Sequence, residues 1–364
     1  MIQRRPFIDW LRAAAVLSVM LYHGNGAREG LGVATGNGWV GVDLFFVLSG
    51  FLVTRSWLLK PDLSDYLKKR AQRVLPAFWA CLLFGLGLGW LMGAPGRDVL
   101  TEAAYNLIFA GNQLPLAAKF PILLGPLWSL ATEVQFWLLV PFLAPLVLRH
   151  AWVRPWRTLL LLLAIPVACR ASVAFIPGMT APWGWGEAPS LFGPIVYALP
   201  FTHMDGLLLG AFLAVAEDRL VEIPSGKLLP ALLLGLVAMV AGAPFRTYLP
   251  RPLVMVLFQY TALALGFGAA VLMAWRTVGI NSAPKMVGWY SERIFSLYLA
   301  QGIVGMLLSP LVIQTMRMGS LGQLAVLGIF VTLSTAVGAG LYALVERPFA
   351  KGLQRRRGVA HQTV

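Results

Sequence analysis

The chain has 364 residues, 58% of them hydrophobic and only 12% charged, with a formal net charge of +14. A soluble domain averages roughly 25% charged residues, so too little polar surface is present to cover a water-soluble globule of this size. The apolar residues come in long blocks, such as 159–167, 228–241 and 253–275, which excludes the alternating strands of an outer-membrane barrel and requires membrane-spanning helices.

About ten spans are predicted, at roughly 7–24, 41–59, 74–93, 124–148, 158–176, 197–215, 228–245, 252–274, 294–314 and 321–345. Residues 94–123 are long for a loop and hold a second apolar stretch at 105–110, which predicts a short interfacial or re-entrant helix. The Pro- and Trp-rich run 177–200 is expected to pack over the same outer face. With the N-terminus in the cytoplasm, 21 of the 29 Lys and Arg fall on the cytoplasmic side and 6 on the opposite side, with Arg12 and Arg170 inside or at the edge of spans. This asymmetry places both termini in the cytoplasm. Positive loops that hold topology and touch anionic headgroups account for the net charge, and no nucleic-acid module is apparent. Cys81 and Cys169 lie in apolar blocks and form neither a disulfide framework nor a metal motif. The first apolar run follows Arg4 and Arg5 but lacks a small-x-small cleavage site, so it reads as a retained helix.

Ionisable groups inside bilayer segments are costly, roughly 2.5 kcal/mol or more at a helix centre, and mark candidate sites. On the first helix Arg12 and His23 are eleven residues apart, which is about 16 Å along the axis and about 20° around it. Asp9 lies one turn from Arg12 and is its candidate partner. His23 is either a hydrogen-bonded interfacial residue or a proton-transfer group, for which a reference pKa of about 6.5 is suited. The second helix brings Asp43 near its outer end, expected at the depth of His23, and Ser49 and Gly50 at mid-helix, where Gly favours tight helix packing. Asp43 reads as a capping residue or as part of a site. Arg70 and Arg73 share one face at the cytoplasmic surface. They are ordinary topogenic charges or a phosphate cradle. Glu133, about nine residues into the fourth span and roughly 14 Å deep, needs a partner or a proton. Ser129 is one turn away, beside Trp128. His203 and Asp205 open the sixth span, and Ser296, Tyr298 and Gln301 lie on the ninth.

Taken together these residues resemble the acyltransferase 3 family, the O-antigen acetylase-like membrane acyltransferases. The resemblance runs from Arg5 to Phe349, with residues 350–364 left as a basic cytoplasmic tail. It rests on Arg12 with His23, on the Gly-Val-Asp-x-Phe-Phe-x-x-Ser-Gly-Phe stretch from Gly41 to Phe51, and on Arg70, Arg73 and Pro76. Trp128, Ser129 and Glu133 follow, and Glu346, Pro348 and Phe349 close it. His203 departs from the pattern, standing where many relatives have Arg before the Asp, and Gln301 stands where many have His. Many relatives also carry a C-terminal hydrolase-like domain. This chain stops soon after Phe349, so the expectation is that the membrane domain itself holds any glycan acceptor.

The resemblance implies a multi-pass protein of the bacterial cytoplasmic (inner) membrane. It would move an acyl group from cytoplasmic acyl-CoA, usually acetyl-CoA, to a hydroxyl of a cell-surface glycan, a lipid-linked sugar or a hydrophobic small molecule. The only cofactor is that co-substrate, with no metal. Arg70 and Arg73 would hold the CoA phosphates, with Arg12 and Ser49 on the donor path. His23 would be the general base, oriented by Glu133 or Asp43. Trp128, Ser129, His203, Asp205, Tyr298 and Gln301 would line the substrate pocket. Direct transfer and an acyl-His intermediate both stay open. No Gly-x-Ser-x-Gly elbow argues for a serine-hydrolase route. The main competing class is a proton-coupled transporter using the buried His, Glu and Asp as a relay; no internal repeat between residues 1–180 and 181–364 supports it.

Overall fold

A computed structural model describes residues 5–24, 35–113, 126–177, 179–180, 192–247, 251–277, 283–315 and 319–350. Among them the chain is all-α, with no strand. Helix α1 spans Pro6–Gly24, and a 3₁₀ turn at Gly36–Trp39 leads into α2, Val40–Leu59. Asp62 caps the next helix, accepting the Asp65 backbone N–H at 2.7 Å, and α3 then runs without a break over Leu63–Leu91. The Arg70–Arg73 segment therefore belongs to the third helix, with Pro76 accommodated inside it.

The expected short helix between spans is α4, Gly96–Leu107, with Glu102 and Asn106 buried. The loop residues 114–125 lie outside the described residues, as does half of the 177–200 run. Helices α5, Leu127–Val153, and α6, Pro155–Val173, follow. The predicted sixth span is broken. A π-helical turn at Phe192–Tyr197 and a single turn at Pro200–His203 precede α7, Asp205–Val215. The break falls at Met204, where φ −100 and ψ 13 leave the helical range. An eleven-residue helix is about 16 Å long, too short to cross a bilayer alone. Interrupted backbone at membrane depth is tolerated where protein surrounds it, and every residue from Thr202 to Ala214 is buried. Helices α8, Ser225–Thr247, α9, Leu253–Arg276, α10, Lys285–Thr315, and α11, Ser320–Leu341, complete the bundle. A π-helical turn at Tyr342–Glu346 closes it.

Among the described residues seven helices are long and apolar enough to cross a membrane. The remaining three predicted segments hold α1, α7 and α10. Large side chains such as Leu83, Trp90, Phe142, Leu160 and Leu161 are exposed on these helices. On a soluble monomer such a surface would be anomalous, whereas on spanning helices it faces lipid. The chain is a multi-pass membrane protein.

The centre of the bundle is α7 against α2. A Cβ added at Gly50 would overlap the carbonyl of Leu207, and one at Gly210 the carbonyl of Val47, so only glycine lets these backbones approach so closely. Gly50 is thus a helix contact. Helices α1 and α2 run antiparallel, with Gly38 against the Ser18 carbonyl and Gly41 against that of Ala15. This register brings Asp43 level with the Arg12 half of α1. The expectation that Asp43 shares the depth of His23 is thereby corrected.

Candidate active site

Helices α1, α2, α3, α5 and α10 enclose a cavity of about 110 Å³. Its polar wall is Arg12, Arg70, Arg73, Glu133, Ser49, Ser129 and Tyr298, and its apolar wall includes Phe45, Leu52, Leu130, Trp137 and Phe295. Residues scattered over the sequence from position 12 to position 298 thus converge on one space. Arg73 is exposed and Arg70 partly so, which sets the mouth of the cavity. Three guanidiniums face one carboxylate, and the walls behind them are apolar. Such a space accepts an anionic head followed by a less polar body, and Arg forks match phosphate oxygens.

The carboxylate is held: Ser49 Oγ donates to Glu133 Oε1 at 2.7 Å. Measured from Leu127, Glu133 lies six residues into α5, roughly 9 Å along the axis, shallower than the sequence suggests. At the outer end of the cavity Ser129 Oγ and Tyr298 Oη are 2.6 Å apart, and Tyr298 also donates to the Pro126 carbonyl at 2.9 Å. Phe45 meets the Tyr298 ring edge-on at 6.1 Å and fixes it.

One turn beyond Tyr298 on α10, Gln301 Oε1 bonds His23 Nδ1 at 2.9 Å. The Gln301 amide nitrogen faces the Leu297 carbonyl at 3.5 Å, which sets the direction of the side chain. His23 Nδ1 is therefore the donor, and Nε2 is the basic nitrogen of the neutral ring. Asp9, near the start of α1, accepts from Ser291 Oγ at 2.6 Å. Neither Glu133 nor Asp43 bonds His23: Glu133 is taken by Ser49 and Asp43 by His203.

The other predicted residues form two separate buried pairs. His203 Nδ1 meets the Tyr197 carbonyl at 2.7 Å and must donate to it, while Nε2 meets Asp43 Oδ1 at 2.9 Å. The two ring nitrogens are thus both engaged, one by a backbone carbonyl and one by a carboxylate. Trp128 stacks on the His203 ring at 5.8 Å and 18°, and Tyr260 lies 3.9 Å from it. Asp205 is held bidentately by Arg170, at 2.7 and 3.0 Å, with Thr261 donating to it at 2.5 Å. Arg170 is fully buried and also donates to the carbonyls of Leu257 and Thr202.

Arg170 is the residue that sequence reasoning left without a role. Its signal was visible as a charge at a span edge; its partner, 35 positions away, was not. It supplies to Asp205 the guanidinium that His203 does not. Likewise Asn112, buried, bonds Thr132 at 3.1 Å and Gln135 at 2.9 Å, tying the 3₁₀ turn after α4 to α5.

The chain is similar over part of its length to O-acetyltransferase OatA of Staphylococcus aureus, 30% identical over 224 residues, covering 57% of this chain and 34% of the relative. It is 34% identical over 193 residues to the putative peptidoglycan O-acetyltransferase YrhL of Bacillus subtilis, covering 48% and 29%. To the putative membrane-bound transacylase BcsY of Komagataeibacter xylinus it is 28% identical over 155 residues, covering 39% and 37%. The chain thus spans about a third of the length of these relatives. No solved structure matches it. The family model described as an acyltransferase domain matches residues 5–343, and over that extent, which holds every residue of the cavity, the chain belongs to the acyltransferase 3 family.

Proposed function

We propose that this chain is a membrane O-acyltransferase that takes an acyl group, acetyl in the first instance, from cytoplasmic acyl-CoA and gives it to a hydroxyl of a cell-surface glycan or lipid-linked sugar. The observation that carries this reading is the cavity with three arginines and one carboxylate at its inner part and His23 one helical turn beyond its outer end. Arg70 and Arg73 at the mouth hold the CoA phosphates, and Arg12 and the Ser49–Glu133 pair line the path inward. His23 Nε2 takes the acceptor proton; a placed general base contributes roughly 10²–10⁴-fold. Gln301 holds the tautomer that leaves Nε2 basic, the part an acid takes in a catalytic triad. Glycan as the acceptor class is favoured by the relatives named as O-acetyltransferases, one of them for peptidoglycan.

The test is acyl-CoA binding and transfer by the purified full chain in lipid nanodiscs. Acetyl-CoA should raise the melting temperature while free acetate does not, and radiolabel from acetyl-CoA should reach a membrane glycan fraction. Equal, or absent, stabilisation by both ligands would count against the reading.

A further inference from the structure

The Ser129–Tyr298 pair has a place and a proton arrangement that the roles above leave unused. It closes the outer end of the arginine-lined cavity. His23, through Gln301, stands three residues further along α10, about 4.5 Å outward. A thioester carbonyl that has passed the arginines and is to meet an acceptor on His23 must come to rest between these two. Both residues are buried, at 6% and 8% exposure. Three oxygens lie together: Ser129 Oγ to Tyr298 Oη is 2.6 Å, Tyr298 Oη to Pro126 O 2.9 Å, and Ser129 Oγ to Pro126 O 3.3 Å. The closest contacts are satisfied when Ser129 donates to Tyr298 and Tyr298 donates to Pro126. Pro126, however, is the N-cap of α5, and an N-cap carbonyl already accepts the first helical N–H. The Tyr298 proton is therefore the one that can leave its partner without stranding a buried acceptor.

We infer that the Tyr298 hydroxyl, oriented by Ser129, is the hydrogen-bond donor to the oxyanion formed when an acyl thioester is attacked beside His23. The inference rests on the O-acyltransferase reading and adds a catalytic residue to it. The acceptor oxygen bonds to the carbonyl carbon as its proton passes to His23. The carbonyl π pair moves onto oxygen, where Tyr298 stabilises it. When that pair returns, the carbon–sulfur bond breaks, and the leaving thiolate takes the proton back from His23. Donation from Ser129 keeps the phenol proton off the serine and strengthens it as a donor.

The experiment compares wild type, Tyr298→Phe and Ser129→Ala, each as the full chain in nanodiscs, with radiolabelled acetyl-CoA and membrane glycan. Phe keeps the ring and its packing on Phe45 but removes the donor. The expected result is a kcat lower by about 10²–10³-fold, the loss typical of one oxyanion donor, with the dissociation constant for CoA by calorimetry unchanged. Ser129→Ala should give a smaller fall in kcat, because Tyr298 remains. An unaltered kcat in Tyr298→Phe, or a loss confined to KM, overturns the inference. If the Phe variant does not fold, a fluorinated tyrosine at 298 keeps the shape and changes donor strength; it should shift kcat and leave CoA binding alone, and an unshifted kcat overturns the inference. Absence of transfer from acetyl-CoA in wild type overturns the enzyme reading itself, whereas an active wild type with an equally active Phe variant removes only Tyr298.

Discussion

His23 is held in one tautomer by a neutral amide, Gln301 Oε1 at 2.9 Å, and not by the carboxylate of Glu133 or Asp43. The arrangement sets ring direction without adding a negative charge beside the outer end of the cavity. His23→Ala should retain the fold and the CoA dissociation constant while losing transfer by roughly 10²-fold or more; wild-type turnover in that variant would remove His23 as base. Gln301→Leu removes the acceptor of the Nδ1 proton and frees the ring to flip or change tautomer. Its kcat should fall about tenfold or more, equivalent to about 1.4 kcal/mol, with CoA affinity retained, as read by steady-state kinetics alongside calorimetry. Arg12, His23, Glu133 and Asp43 were all legible in the sequence as polar groups in costly places. Their partners were not, because Ser49–Glu133, His23–Gln301 and Asp43–His203 join positions 84, 278 and 160 apart. Those pairings follow from helix packing, which one sequence does not encode locally.

At the level of elements, α7 is the axle of the fold. It is short, buried on every side, and pressed against α2 through Gly50 and Gly210. Gly210→Val must push the backbones apart, so a loss of roughly 1–3 kcal/mol is expected, seen as a lower melting temperature in detergent. The Arg170–Asp205 pair pins the broken start of α7 to α6 and α9. Removing one partner strands a buried charge, so Asp205→Leu or Arg170→Met should each cost about 3–5 kcal/mol, and the double variant should recover part of that. Additive losses in the thermal double-mutant cycle would refute the coupling. The helical segments were legible from apolar block length, because lipid leaves the backbone no alternative. The break at Met204 was not. It depends on burial that satisfies interrupted backbone, and the apolar run around it reads like any other span. The short α4 was legible as a helix between spans, but the Asn112–Gln135 tie that anchors its end was not.

For the whole molecule, exposed apolar side chains such as Leu83, Phe142 and Leu160 lie outside a core whose described charges include the Arg170–Asp205 pair and the arginines and carboxylate of the cavity. The positive mouth faces the side to which the Lys and Arg asymmetry assigns the cytoplasm. Arg70→Ala combined with Arg73→Ala should weaken CoA binding, measured by calorimetry, far more than it slows transfer at saturating donor; an unchanged dissociation constant would contradict the phosphate-cradle role. The central claim is that the cavity carries an acyl group from a cytoplasmic thioester to a hydroxyl served by His23. Its most direct test is transfer of radiolabel from acetyl-CoA, supplied only on the cytoplasmic side of sealed vesicles holding wild type or His23→Ala. Label accumulating on glycan with wild type and absent with the variant is the predicted result. Equal label in the two, or none with wild type, would contradict it.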